Sequence, residues 1–389
     1  MNFRLSIIFA ALLSALAPQA ETVASLPVVP GIVIDHIPAS TGTYIGSPSI
    51  AILPTGEYVA SHDLFGPKTT EHKLATSLIF QSTDTGRTWN NIATIEGAFW
   101  STLFAHHKSL YLLGTNRHHG DIVIRRSDDA GKTWTKPSDK AHGLLRDTGE
   151  CHCAPMPVLE FNGRLWRAFE WRNPPEKWGV NYCAGMLSVA VDADLLNADN
   201  WTFSNFVPSD RTWNNNDMGA WLEGNAVATA DGKLLDILRV QTKSSDEKAA
   251  IVHISTDGKE ARFDPAKDFI SFPGGAKKFS IRYDPQSKKY WTLANILPAK
   301  DRPQNPGSVR NILALNHSND LLNWQTQSIV LKNPDTKKHG FQYVDWLIEG
   351  DDIIFVSRTA YDDDTGGAHN YHDANFMTFH RIENFRNAK

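Results

Sequence analysis

Two octets with one skeleton, Ser-x-Asp-x-Gly-x-Thr-Trp, constrain this chain more than any other feature. They are "STDTGRTW" from Ser82 to Trp89 and "SDDAGKTW" from Ser127 to Trp134, and they start 45 residues apart. The chemistry of the octet is that of a turn. Ser and Asp side chains bond nearby backbone N–H groups, Gly supplies a positive φ, and Trp anchors the exit with a large apolar ring. A strand-like run precedes each copy, "TSLIFQ" and "DIVIRR". An aromatic turn repeated at this period predicts an all-β fold, a β-propeller with four strands to a blade. The octets are architecture on this reading, and Asp128 and Asp129 take no catalytic part.

Strand pairs recur along the rest of the chain and predict six units. "SPSIAIL" with "EYVASHDLF" opens the first, and "FQYVDWLIE" with "DDIIFVSRTAY" the sixth. Degenerate octets begin at Ser255 and Ser318. The final run "NFMTFHRI" needs a partner, and the early "GIVIDHIP" is placed beside it to close the ring. The stretches after Trp134 and Trp201 are long enough to hold a seventh blade.

Composition sets bounds on the rest. With 389 residues and a net charge of −4, no extended nucleic-acid surface has electrostatic support. Arg4 precedes an apolar stretch from Leu5 to Leu16, with small residues at Ala15, Ala17 and Ala20. This pattern predicts a secretory signal over 1–20, too short for a membrane anchor, ahead of one propeller domain over 21–389. The mature protein is expected to be exported, soluble and monomeric. Export permits disulfides, and Cys183 is expected to pair with Cys151 or Cys153, the only other cysteines. The "CHC" run is a weak alternative, a metal clip.

In a propeller the first strand of each blade lines a central channel. The loops before first strands and after second strands open on one face. Polar residues at those places are the candidates. After second strands come His62 and Asp63, Arg117 to His119, Glu170 with Arg172, Arg239, Asn295, and Arg358 with Tyr361. Near first strands lie His152, Glu223 with Asn225, Lys278, and Tyr343 with Asp345. A late loop adds His372, Asp373 and Asn375. Cationic and aromatic donors of this kind suit an anionic sugar. Hydrolysis would want two carboxyl groups, for which Glu170, Glu223, Asp63 and Asp345 are available. β-Elimination from a uronic acid needs a carboxylate partner, a base and an acid, and His, Tyr and Arg supply all three.

The octets resemble the Asp boxes of sialidases and other sugar-active propellers, a mark of fold and not of activity. A sialidase would add an early Phe-Arg-Ile-Pro type segment and three arginines for a carboxylate. The mature chain has no such segment, which lowers that reading. A nearer resemblance is to secreted propellers that attack the L-rhamnose-α-1,4-D-glucuronate linkage, including the rhamnose–glucuronate lyases that trim arabinogalactan and gum arabic. It runs through "SHDLFGP", "HCAPMPVLEFNGRLWRAFE", "WLEGNA", "KKFSIRYDP", "FQYVDW" and "HDANFMTFHRI". That family is similar to ulvan lyases, and the resemblance implies seven blades where the strand pattern counts six. A related propeller group hydrolyses the same bond.

The resulting expectation is removal of terminal L-rhamnose from glucuronate on a plant cell-wall or gum polysaccharide, by elimination. His62 and His152 would transfer protons, with Tyr343 and Tyr361 as proton donors and Arg358 and Arg239 as carboxylate partners. Asn225, Lys278, Asp345 and His372 would hold sugar hydroxyls. No cofactor is required, and the channel leaves room for a structural calcium ion. An α-L-rhamnosidase and a non-catalytic glycan-binding propeller are the alternatives.

Overall fold

The computed structural model describes residues 28–173, 179–298 and 305–388. The expected signal over 1–20 lies outside them, and no described helix is long and apolar enough to cross a membrane. Nearly all regular structure is antiparallel strand.

Middle strands read as continuous apolar runs because both of their faces are covered. Asp352–Ala360 is buried from its second residue to its last, whereas Trp324–Lys332, an outermost strand, is buried nowhere along its length. This is the pattern of sheets stacked face to face around an axis.

The first unit comprises Tyr44–Ile45 and Ser49–Ile52, Tyr58–Phe65, Thr76–Ser82 and Asn90–Glu96, and the second Phe99–His106, Ser109–Thr115, Gly120–Ser127 and Leu144–His152. Leu144–His152 then passes on to pair with Arg164–Arg172, so the third unit, continuing through Tyr182–Ala190 and Trp201–Phe203, belongs to the same nine-stranded sheet. Met218–Ala228, Leu234–Thr242, Lys248–Ile254 and Ala261–Arg262 make the fourth. Ser280–Asp284, Lys289–Asn295, Ile312–Ser318 and Trp324–Lys332 make the fifth. In the sixth, Gly340–Glu349, Asp352–Ala360 and Phe376–Ile382 are completed by Ile32–His36 from the other end of the chain. The expected pairing of the first and last strands is therefore present.

Apolar clusters lie between every pair of successive units, the sixth and first included. Trp221, for example, packs beneath the third unit while Trp346 packs against the fifth. A ring of six is thus closed by six inter-unit cores. The seventh blade implied by resemblance has no strands among the described residues. The stretch after Trp134 instead becomes the outer edge of the second unit, and the one after Trp201 runs through a four-residue helical turn, Trp213–Asn216, into the fourth.

The octets do form turns. Asp84 Oδ1 accepts the N–H of Thr88 at 2.9 Å, its Oδ2 accepts the Thr88 hydroxyl at 2.7 Å, and Trp89 Nε1 donates to Gly86 O at 3.1 Å. Asp129, Thr133 and Trp134 repeat the arrangement. Gly86 is required twice over, by its φ of +89° and because an added Cβ would stand 2.3 Å from the Phe379 ring. Both octets follow third strands, at the opposite end from the loops that carry the candidate residues. The cysteine expectation is corrected: Cys151, Cys153 and Cys183 are all free and buried. Burial holds the Cys151 thiol up at about 12, which keeps it a neutral core residue here.

Candidate active site

First strands of the second, fourth and sixth units each break register midway: between Phe99 and Thr102, between Leu222 and Asn225, and between Gln342 and Asp345. At each break one non-glycine residue takes a left-handed backbone, Trp100 (φ 49°), Glu223 (φ 60°) and Tyr343 (φ 53°). A β-bulge re-aims a side chain, and such strained residues gather at functional sites. Here all three side chains line one cavity of about 130 Å³, together with Asp63, Glu71, His118, His152, Arg358 and His372. Tyr343 and His372 also line an adjoining cavity of about 290 Å³, with Arg239, Arg310 and Tyr371.

The residue two places after each bulge points inward and ties its unit to the next. Thr102 Oγ1 accepts the Met156 N–H at 2.9 Å. Asn225 Oδ1 accepts the Ile281 N–H at 2.9 Å. Asp345 Oδ2 accepts the Ser49 hydroxyl at 2.7 Å and the Ile50 N–H at 3.1 Å. Lys278 does the same between the fifth and sixth units, donating to Val344 O at 2.5 Å, and burial lowers its ammonium to about 8.

Asn225, Asp345 and Lys278, expected to hold sugar hydroxyls, thus bond the neighbouring units and line neither cavity. His62, expected to transfer a proton, also lies apart from them. Its Nε2 meets Asp35 at 2.9 Å, its Nδ1 meets Asp63 O at 3.0 Å, and its ring stacks on Phe80 outside both cavities. Tyr361 packs against His339 and Phe341 in the core between the fifth and sixth units, also away from the cavities.

The other five expected residues converge. His152 Nδ1 meets Glu170 Oε2 at 2.7 Å, and Glu170 Oε1 accepts the Gly224 N–H at 2.9 Å, which fixes the imidazole against the edge of Trp100. Arg239 donates to Glu223 Oε2 at 3.0 Å and to Ala276 O at 2.9 Å, and it hydrogen-bonds Tyr343. Arg358 donates to His372 O at 2.6 Å and stands 4.8 Å from the Tyr343 ring centroid. His372 meets Asp373 at 2.8 Å; burial, then Arg358, lowers its imidazole to about 3.

Arg310, which the sequence reading missed, lies 5.3 Å over the same ring. It is 5% exposed and Arg358 is 4% exposed, yet neither makes an ion pair with a described carboxylate. Two buried guanidiniums lacking carboxylates beside one phenol form a ready anion pocket.

Two of the three cavity carboxyls, Asp63 and Glu223, are pushed apart. Burial raises Asp63 above its ordinary range despite the N–H groups of Trp100 and Ser47 that it accepts. Burial also acts to raise Glu223, but Arg239 and His152 outweigh it and hold that group low. One carboxyl suited to donate a proton and one suited to accept are thus present together. Asp236 is the third unusual acid. It is wholly buried, burial and the nearby Glu170 push its carboxyl well up, and no described group bonds either oxygen.

No family model matches the chain, and no curated protein matches it. Solved structures do. An α-L-arabinanase from Penicillium chrysogenum, complexed with arabinobiose, superposes with a TM-score of 0.58 at 15% identity, over 93% of this chain and 100% of its own. The Hadza microbial sialidase Hz136 superposes with a TM-score of 0.61 at 12% identity, over 91% of this chain and 68% of its own. A Trypanosoma rangeli sialidase gives 0.57 at 14% identity, over 87% and 55%. At these identities the likeness is one of fold, and this chain shares the β-propeller fold of those glycan-processing enzymes.

Proposed function

We propose that this protein is an exported glycan-cleaving enzyme that acts at a sugar bearing a carboxylate, and that it hydrolyses the bond through Tyr343. The observation that carries this reading is the pair Arg310 and Arg358, buried beside the Tyr343 ring with no ion pair to a carboxylate among the described residues. An acidic sugar supplies the missing charge. Bidentate guanidinium–carboxylate contacts would fix its anomeric carbon over the phenol.

Tyr343 Oη then attacks that carbon. Its proton passes to Glu223, which Arg239 keeps ionised. The glycosidic C–O bond breaks, and Asp63, whose carboxyl burial raises above its ordinary range, is the group placed to give a proton to the departing oxygen. Water afterwards cleaves the tyrosyl–sugar bond, with Asp63 taking the water's proton and Glu223 returning its proton to the Tyr343 oxygen. A phenol suits this task because a carboxylate nucleophile would repel an anionic sugar. Sialidases are the known case of a tyrosine nucleophile among glycosidases, and two of the proteins of like fold are named as sialidases.

A second reading is elimination at the L-rhamnose–glucuronate bond of a plant polysaccharide. The observation in its favour is the buried His152–Glu170 pair, a positioned base in the same cavity. The guanidiniums would then hold the uronate and acidify its C5 proton.

Digestion of acidic glycans alongside their carboxyl-reduced counterparts tests both. The proposal expects new reducing ends from the acidic forms alone, without the ultraviolet absorbance of a conjugated uronate. That absorbance would favour elimination. Equal cleavage of reduced and acidic forms would contradict both.

A further inference from the structure

At the lip of the cavity, a loop of the first unit meets a loop of the second. Between Tyr58–Phe65 and Thr76–Ser82 the chain makes a turn carrying Glu71 and His72. Between Ser109–Thr115 and Gly120–Ser127 it carries His118. The two loops are clamped by a backbone bond from His118 N to Glu71 O at 2.8 Å. One ligand atom from each of Glu71, His72 and His118 lies within 4.8 Å of the others.

The detail is closer than that outer bound. Glu71 Oε1 is 3.2 Å from His72 Nε2 and 3.6 Å from His118 Nδ1. Four ligands held tetrahedrally at about 2.0–2.1 Å from zinc stand roughly 3.3 Å from one another. The Glu71 oxygen already stands at nearly that spacing from each of the two nitrogens. The support around them is also of the kind a metal ligand needs. Glu71 Oε2 accepts the Gly66 N–H at 3.0 Å, which orients the carboxylate so that Oε1 meets both imidazoles. The His118 ring packs against Trp100 at 4.7 Å and Phe99 at 5.9 Å, which fixes its plane. Two imidazoles and one carboxylate suit zinc, whereas calcium and magnesium take oxygen ligands.

We propose that Glu71, His72 and His118 form a three-ligand site for a zinc-class divalent ion, with a fourth position that opens toward the cavity. Glu71 and His118 line that cavity beside Trp100 and His152. The ion would accept a water or a sugar oxygen there, on the side of the first and second units, across from the guanidiniums of the fifth and sixth.

The site is tested on the full chain, stripped with a chelator and titrated with Co²⁺ and then Zn²⁺. The expected result is one equivalent of Co²⁺ with the visible bands of four-coordinate cobalt, displaced by Zn²⁺. His72 has a largely exposed side chain, so His72→Ala should fold normally. It should weaken binding by about 100-fold or more, since even outer-shell losses weaken metal sites by 10–100-fold. Glu71→Gln should act in the same direction. His142→Ala and His253→Ala, which alter other surface His–Asp pairs, should bind as the wild type does. Absence of the cobalt bands, or equal binding by wild type and His72→Ala, would overturn the proposal. These readouts need no substrate, so they stand or fall separately from the proposed reaction.

Discussion

Glu223 Oε2 and Arg239 Nη1 lie 3.0 Å apart with both side chains buried, and the pair stands beside Tyr343 at the centre of the site. Removing one partner strands the other. Arg239→Ala should cost about 3–5 kcal/mol, the usual penalty for an uncompensated buried charge. Glu223→Gln should cost less, because it removes a charge without leaving a bare carboxylate. The folded carboxyl is held below its ordinary 4.5. Its stabilising contribution is therefore present above that pH and is lost as the pH falls through the lower folded value. Thermal denaturation checks the order, and an Arg239→Ala protein as stable as wild type would show that the pair is solvated.

Asp63 should act as the proton donor. Because burial raises its carboxyl above the ordinary 3.8, turnover should fall as the pH rises through that higher value. Asp63→Asn should lower turnover on natural glycosides by about 10²–10⁴-fold, the usual worth of a positioned acid. The loss should be far smaller on aryl glycosides, whose leaving group needs no proton. Equal losses on both substrates would make Asp63 a structural residue, holding only the N–H groups of Ser47 and Trp100.

Asp236 leads to an unusual expectation, that an acid-to-amide change stabilises. Its carboxyl is raised by burial and by Glu170. The wild type is therefore favoured at low pH and loses stability as the pH rises through the elevated folded value. Asp236→Asn should have a higher melting temperature than wild type near neutrality, with the difference shrinking in acid. A lower melting temperature at every pH would mean that the carboxyl has a partner in solution.

The octets should matter for folding and not for turnover. Trp89 is half-buried against the core between the sixth and first units. Trp89→Ala should therefore cost about 3 kcal/mol, the low end for large aromatic deletions. Asp129→Asn should fold and keep its Michaelis constant. A folded Asp129→Asn protein without activity would place chemistry in the octet.

The fold was legible where the signal was periodic. The octets, the strand pairs and the closure of Ile32–His36 against Phe376–Ile382 all follow from repeated pattern. The site was legible only in part, because bulges shift the alternation of side chains by one. Nothing in "WLEGNA" shows that Glu223, and not the adjacent glycine, takes the positive φ. Asn225 and Asp345 sit in the strands expected of them, but the shift turns them inward to the neighbouring unit. Arg310 follows "PQNPGSV", which reads as an undistinguished loop, and only the packing of the fifth unit against the sixth brings it over Tyr343. The count of seven blades came from resemblance alone and gave way to the six cores of the ring.

The most direct measurement compares kcat/KM for an acidic glycoside and its carboxyl-reduced form, in wild type and in Arg310→Ala. Charge-assisted hydrogen bonds of about 2–3 kcal/mol predict a wild-type preference of roughly 30–150-fold for the acid. That preference should collapse in Arg310→Ala, while the reduced form is cleaved at a similar low rate by both. A wild type that cleaves the two substrates equally, or a preference untouched by Arg310→Ala, would contradict the account that buried arginines around Tyr343 select a carboxylate-bearing sugar.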